Sequence, residues 1–259
     1  MSYYQGWPEY IPVSEKRAKA ERKIEQLRKK QKEIHPIIIE GSKLSNTWWG
    51  TAWNKNLESY ADYSNRIGRG RSYVRHGAVL DLKIKPGKVT ALVQGSRNKP
   101  YSVTVDIKQI SSPKWIKIKQ SCEGKLASVA KLLEGSFPRE LKELFAGKGS
   151  GLFPSPNEIS FDCSCPDWAG LCKHTAAALY GIGKRLDDDP SLFFTLRKVK
   201  MDELVSEVVK DKSKSMLSKA KKKTSRVIAD ADVSAMFGIE MAEKAKKEPA
   251  KKKSVKKKK

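Results

Sequence analysis

Between Phe161 and Tyr180 the chain reads F-D-C-S-C-P-D-W-A-G-L-C-K-H-T-A-A-A-L-Y, and no other stretch restricts the possible folds as strongly. Three of the four cysteines and one of the three histidines fall within the twelve residues from Cys163 to His174. Their order is C-x-C, a six-residue spacer, then C-x-H. In an extended strand, side chains two apart share a face, so Cys163 and Cys165 can aim at one point. Pro166 favours a bend, and the spacer is long enough to return the chain. Cys172 and His174 arrive where an alanine-rich, helical-looking segment begins. Three thiolates and one imidazole complete a tetrahedral zinc shell of the closed, structural type, which leaves no position for a catalytic water. The expectation is a small ββα finger held by Zn2+.

Two other readings of these cysteines are weaker. C-x-C neighbours are poorly placed to bridge each other, and nothing marks the chain as secreted, which argues against a disulfide. A chance cluster of core cysteines fits badly with the Pro, Asp and Gly between them, which belong in a loop.

The same residues resemble the SWIM zinc finger, whose pattern is C-x-C-x(n)-C-x-H. The likeness to bacterial SWIM proteins continues through Y-G-I-G-K-R-L-D-D-D-P and L-F-F-T-L-R. Upstream it takes in T-W-W-G-T-A-W, N-R-I-G-R-G-R-S-Y-V-R-H-G-A-V and V-Q-G-S-R-N-K-P-Y, so it covers about residues 42 to 198. The resemblance implies a DNA-binding or protein-interaction module, and an association with Snf-type helicase-like ATPases.

Charge points the same way. The net charge of +24 is shared between two regions. Residues 210–259 carry 18 Lys and Arg against 6 acids, and the rest of the chain 35 against 23. A basic tail therefore does not explain the whole excess. A chain this basic attracts polyanions, of which nucleic acid is the commonest inside a cell. There is no apolar run of about 18 residues, and Met1 to Pro12 lacks the blocks of a signal peptide, so a reduced, cytoplasmic protein without a membrane partner is expected.

Along the chain, Ser14 to Ile34 reads as a charged helix with a thin stripe of Ala20, Ile24, Leu27 and Ile34, ended by His35-Pro36. A second helix is expected from Trp48 to Tyr60, capped by Asn46 or Thr47, with Trp49, Trp53, Leu57 and Tyr60 on one face. Asn65 to Gly77 reads as a glycine-rich basic loop. Its Arg66, Arg69, Arg71 and Arg75, with Tyr73 as a stacking surface, either contact phosphates or pair with acids elsewhere in the fold. His76 is placed at this loop's edge, away from metal.

From Ala78 the period changes to two. Leu80, Leu82 and Ile84 predict a half-buried strand, Pro86-Gly87 a type II turn, and Val89–Val93 and Tyr101–Ile107 the next two strands of a meander. Ser112-Pro113 opens a helical region through Leu126, Val129, Leu132 and Leu133, Gly135 stops it, and a short helix follows from Pro138 to Phe145. Cys122 is expected to be a small buried residue. A strand over Asn157–Asp162 leads into the metal stretch. Further helices are expected after His174, over Ser191–Arg197 with Asp189 as cap, and over Asp202–Lys210. Asp232–Lys247 reads as a transient helix, and the lysine-rich end as disordered.

The expected fold is α+β: a charged N-terminal helix (1–35), a small antiparallel sheet packed with helices (36–155), the zinc finger with flanking helices (156–210), and a basic tail (211–259). No paired carboxylates, nucleophile motif or phosphate-cradling P-loop occur, so a non-enzymatic adaptor is expected. Its candidate ligand residues are Cys163, Cys165, Cys172 and His174. Arg66, Arg69, Arg71, Tyr73, Arg75, Lys173, Lys184 and Arg185 are the candidate nucleic-acid contacts, DNA being the expected partner. The alternative is a docking module for a Snf-type helicase-like ATPase.

Overall fold

In the computed structural model the period-two segments pair as one antiparallel sheet in the order β1-β2-β3-β4. The strands are β1 (Val79–Lys85), β2 (Lys88–Val93), β3 (Tyr101–Ile107) and β4 (Ile159–Cys163). The helices are α1 (Val13–Lys30), α2 (Trp48–Glu58), α3 (Ser64–Arg75), α4 (Ser112–Ser121), α5 (Lys142–Ala146), α6 (Lys173–Asp188), α7 (Leu192–Leu196) and α8 (Met201–Lys221). The structure describes residues 11–221 except 31–32, 61–63, 123–124, 126–130, 132–133, 135–137, 148 and 150. The expected helical positions Leu126, Val129, Leu132 and Leu133, the stop at Gly135, the transient helix over 232–247 and the lysine-rich end lie outside the described residues. Among the described residues no helix is long and apolar enough to cross a membrane.

Strand β3 shows why the sheet forms. Tyr101, Val103, Val105 and Ile107 are buried and alternate with more exposed Ser102, Thr104 and Asp106, as one covered face requires. Between β1 and β2, Gly87 has φ +69°, the left-handed value a type II turn needs at that position. Strand β1 departs from the half-buried expectation, because Val79, Leu80, Asp81 and Leu82 are all buried. The extended residues 35–39 run along its edge: Ile37 N donates to Val79 O at 3.0 Å and Leu82 N to His35 O at 2.9 Å. Asp81 accepts from His35 N at 2.8 Å, so its buried carboxylate is satisfied.

Three further expectations change. The glycine-rich stretch 65–75 is the helix α3, not a loop. Ile67, Gly70 and Val74 turn inward at helical spacing, and Gly70 meets Ala176 of α6 so closely that a Cβ there would lie 2.4 Å from the alanine Cβ. Backbone approach, not an anion, is what this glycine serves. Secondly, segment 156–210 shares its sheet and core with the residues before it. Its strand β4 pairs with β3 in the register Val105↔Phe161 and Ile107↔Ile159, and α6 is the central helix of the core, buried at every residue from His174 to Gly183. So short a segment has little core of its own, and it completes its apolar contacts on the sheet, α2 and α3. The stretches 1–35, 36–155 and 156–210 accordingly lie within one unit, Met1–Ser213, with Lys214–Lys259 as a second. Finally, α8 continues to Lys221 beyond the expected end at Lys210.

One buried ion pair ties the sheet to the helices. Arg197, 1% exposed, donates to Glu158 Oε1 at 2.8 Å and to Lys108 O at 3.0 Å. Burial opposes ionisation of Glu158, but the Ser155 N–H and the Arg197 guanidinium outweigh it and bring its pKa down to about 2. The stabilisation that the Ser155 and Arg197 contacts give together is then fully present above the unfolded value near 4.5 and disappears as pH falls towards 2. At neutral pH it amounts to about 2–3 kcal/mol. Glu158→Gln should therefore melt well below the parent at pH 7, with the gap closing between pH 5 and 2. A gap independent of pH would show that the charge contributes nothing.

Candidate metal centre

Two elements deliver the four ligand residues. Strand β4 ends at Cys163, opposite Val103. Ser164 prolongs the pairing, its N donating to Ser102 O at 3.0 Å, and Cys165 follows two residues after Cys163. The chain then turns at Pro166, and the bend is pinned by Asp167. This carboxylate accepts from Arg66 Nη2 at 3.2 Å and lies 3.1 Å from Arg66 Nε. The return leg ends at Cys172, the N-cap of α6, whose Sγ accepts from Thr175 N at 3.4 Å and contacts Thr175 Oγ1 at 3.4 Å. His174 lies in the first turn of the helix.

The three Sγ atoms and a His174 ring nitrogen all lie within 4.8 Å of one another. His174 Nδ1 is 3.9 Å from the Sγ of both Cys163 and Cys172. The four residues could hold a metal ion, and Cys172 and His174 are buried while Cys163 and Cys165 are partly exposed. Their acidities diverge. Cys172 is held well below the ordinary thiol range by its hydrogen bond with Cys163 and by donors from His174 and Thr175. The same hydrogen bond, with burial, raises Cys163, and burial raises Cys165. The first thiolate thus forms at a helix N-terminus, where the peptide dipoles favour negative charge.

The histidine is oriented by packing. Tyr101 lies 4.3 Å from its ring, tilted 32°, and Tyr73 lies 5.4 Å away, edge-on at 71°. A Cβ at Gly95 would fall 2.4 Å from Tyr101 and 2.9 Å from His174 Nε2. Only glycine leaves room there for the ring. No local pattern in V-Q-G-S-R-N-K-P-Y points to this support.

The eight candidate nucleic-acid residues do not form one surface. Arg66 is committed to Asp167, and Arg71 to Glu58 at 3.3 Å and the Tyr180 hydroxyl at 2.9 Å. Arg75 donates to Ser42 O at 3.3 Å. Tyr73 flanks His174, and burial raises its pKa. Lys184 pairs with Asp188, and Arg185 donates to Pro36 O at 3.2 Å. That end of α6 lies about 16 Å along the axis from Lys173. Arg69 and Lys173 both line one cleft with Tyr73. His76 lines the same cleft, where burial, with Lys16 and Arg17, lowers its pKa to about 4. Cys122 is a buried thiol of α4's C-cap, pushed up to about 11 by burial, and is not among the ligands.

The chain is similar to a protein of Mycobacterium tuberculosis named Uncharacterized protein Rv2102, 38% identical over 164 residues. The match covers 63% of this chain and 59% of that protein. No family model matches the chain. No solved structure matches it.

Proposed function

We propose that the chain is a non-enzymatic nucleic-acid-binding adaptor of the SWIM type, organised by one structural zinc ion. The observation that carries this reading is the convergence of three thiols and one imidazole within 4.8 Å. Ligands about 2.3 Å from a tetrahedral zinc stand about 3.8 Å apart, and such a Cys3His set suits zinc. Four protein ligands leave no coordination position for a reacting water. Three thiolates around a divalent ion carry one net negative charge, which the start of α6 and Lys173 offset. Arg69 and Lys173, with the basic residues of α1, supply phosphate contacts. Such contacts give affinity without base reading, so no sequence preference is expected.

Titrating the metal-loaded protein with single- and double-stranded DNA at several salt concentrations tests this. Binding should weaken steeply with salt, each phosphate neutralised adding about 0.9 to the log-log slope on duplex. Absence of nucleic-acid binding at low salt would reject the reading. A second reading, docking on a Snf-type helicase-like ATPase, is favoured by Trp168, 78% exposed on the metal loop. Large exposed aromatics commonly anchor protein partners. Salt-insensitive capture of such an ATPase, lost on Trp168→Ala, would support it.

A further inference from the structure

Beside the metal centre, α1, α3 and the turn after β2 enclose a cleft of about 590 Å³. Its inner lining holds Tyr73, His76, Ala78 and Gln94, with the two rings 5.3 Å apart. Lys16, Lys19, Arg69 and Lys173 stand around it, with Glu15 the acid among them. Three separate segments thus bring cations to one concavity whose interior is largely apolar.

Gln94 fixes one wall of the cleft. It is 7% exposed, and its Nε2 donates to Gly95 O at 2.9 Å and Arg97 O at 2.6 Å. Two carbonyl partners fix which end of the amide is nitrogen. The other end, Oε1, is buried without a hydrogen-bond partner. That oxygen is out of reach from the cleft, so the part Gln94 plays is to hold the turn after β2 as a fixed wall.

We propose that this cleft takes one nucleotide of a single-stranded nucleic acid, the base lying against Tyr73 and the flanking phosphates resting on Arg69, Lys173 and Lys19. The proposal rests on the nucleic-acid reading above and goes beyond it by assigning a base pocket. The volume is within the range of small-ligand sites. Every base has a flat apolar face, which its neighbours cover in a duplex and a single strand can turn outward. The pocket therefore accepts any base, but it requires that the base be unpaired. A carboxylate-rich peptide would satisfy the cations, but its acidic side chains bring no flat ring to Tyr73.

The test uses the full metal-loaded chain and four fluorescent probes of equal length: a mixed-sequence single strand, an abasic strand, a duplex and polyglutamate. The single strand should bind about tenfold more tightly than the abasic strand, the scale of one stacked base. Ser72→Leu, an uncharged plug at an exposed position of α3 on the cleft wall, should erase that preference while metal content and melting stay unchanged. Arg69→Ala with Lys173→Ala should weaken both strands and lower the salt slope by about 1.4. Equal binding of the single and abasic strands, or a preference that survives Ser72→Leu, would overturn the base pocket while leaving nucleic-acid binding intact. Polyglutamate binding as well as the single strand would assign the cleft to acidic peptides and overturn the proposal. Failure to bind any nucleic-acid probe would instead remove the adaptor reading itself.

Discussion

Cys172→Ser should release the bound metal and lower the melting temperature by about 8–16 °C or more. The substitution isolates the metal because of where Cys172 sits. It is both a ligand and the N-cap of α6, accepting from Thr175 N. Serine caps helices well, so the cap survives and only the soft ligand is lost. Structural zinc supplies about 10–16 kcal/mol in small finger peptides. Here the sheet and the apolar faces of α2, α3 and α6 carry part of the fold without metal, so a smaller share, about 4 kcal/mol or more, is at stake. At about 2–4 °C per kcal/mol for a chain of this size, that gives the stated shift. Chelating the parent should bring it to the melting point of the variant. Stoichiometric metal with unchanged melting in Cys172→Ser would refute the site.

The ligand set was legible because its chemistry is local: four residues within twelve positions define the centre whatever the fold around them. The strands were legible because Tyr101, Val103, Val105 and Ile107 repeat every second residue. What surrounds the ligands was not legible. That β4 would add to β3, and that Gly95 and Tyr101 would enclose His174, depends on pairings across more than 50 residues in sequence that no local pattern encodes. The N-R-I-G-R-G-R stretch was misread for a definite reason. Two glycines weigh against a helix on propensity and three arginines against burial, and tertiary packing overrides them. The signal was nevertheless present. Ile67, Gly70 and Val74 stand at i, i+3 and i+7, one helical face with a gap where the neighbouring helix enters. Arg66 and Arg71 look like free cations in sequence, and Asp167 and Glu58 claim them only in three dimensions.

The same helix supplies a prediction of opposite signs from two glycines two residues apart. Gly70→Leu should destabilise the chain by about 3 kcal/mol or more, since overpacking a tight contact costs 1–3 kcal/mol and more where nothing can yield. Nothing can yield here: a Cβ at residue 70 would lie 2.4 Å from Ala176 Cβ and 3.1 Å from the backbone of Ala176 and Ala177. The atoms met are the helix itself, not the end of a flexible side chain. At Gly68 a Cβ meets nothing within 4 Å. Gly68→Leu should therefore stabilise by up to about 1 kcal/mol, the difference in helix propensity. Paired melting curves decide the matter, and metal retention adds a second readout. Because α3 also sets Tyr73 against His174 and Arg66 against Asp167, forcing it away from α6 should loosen the metal in Gly70→Leu and leave it unchanged in Gly68→Leu. Similar small effects at both positions would mean that residues 65–75 do not pack as a helix on α6, and the support of the metal centre would have to be sought elsewhere.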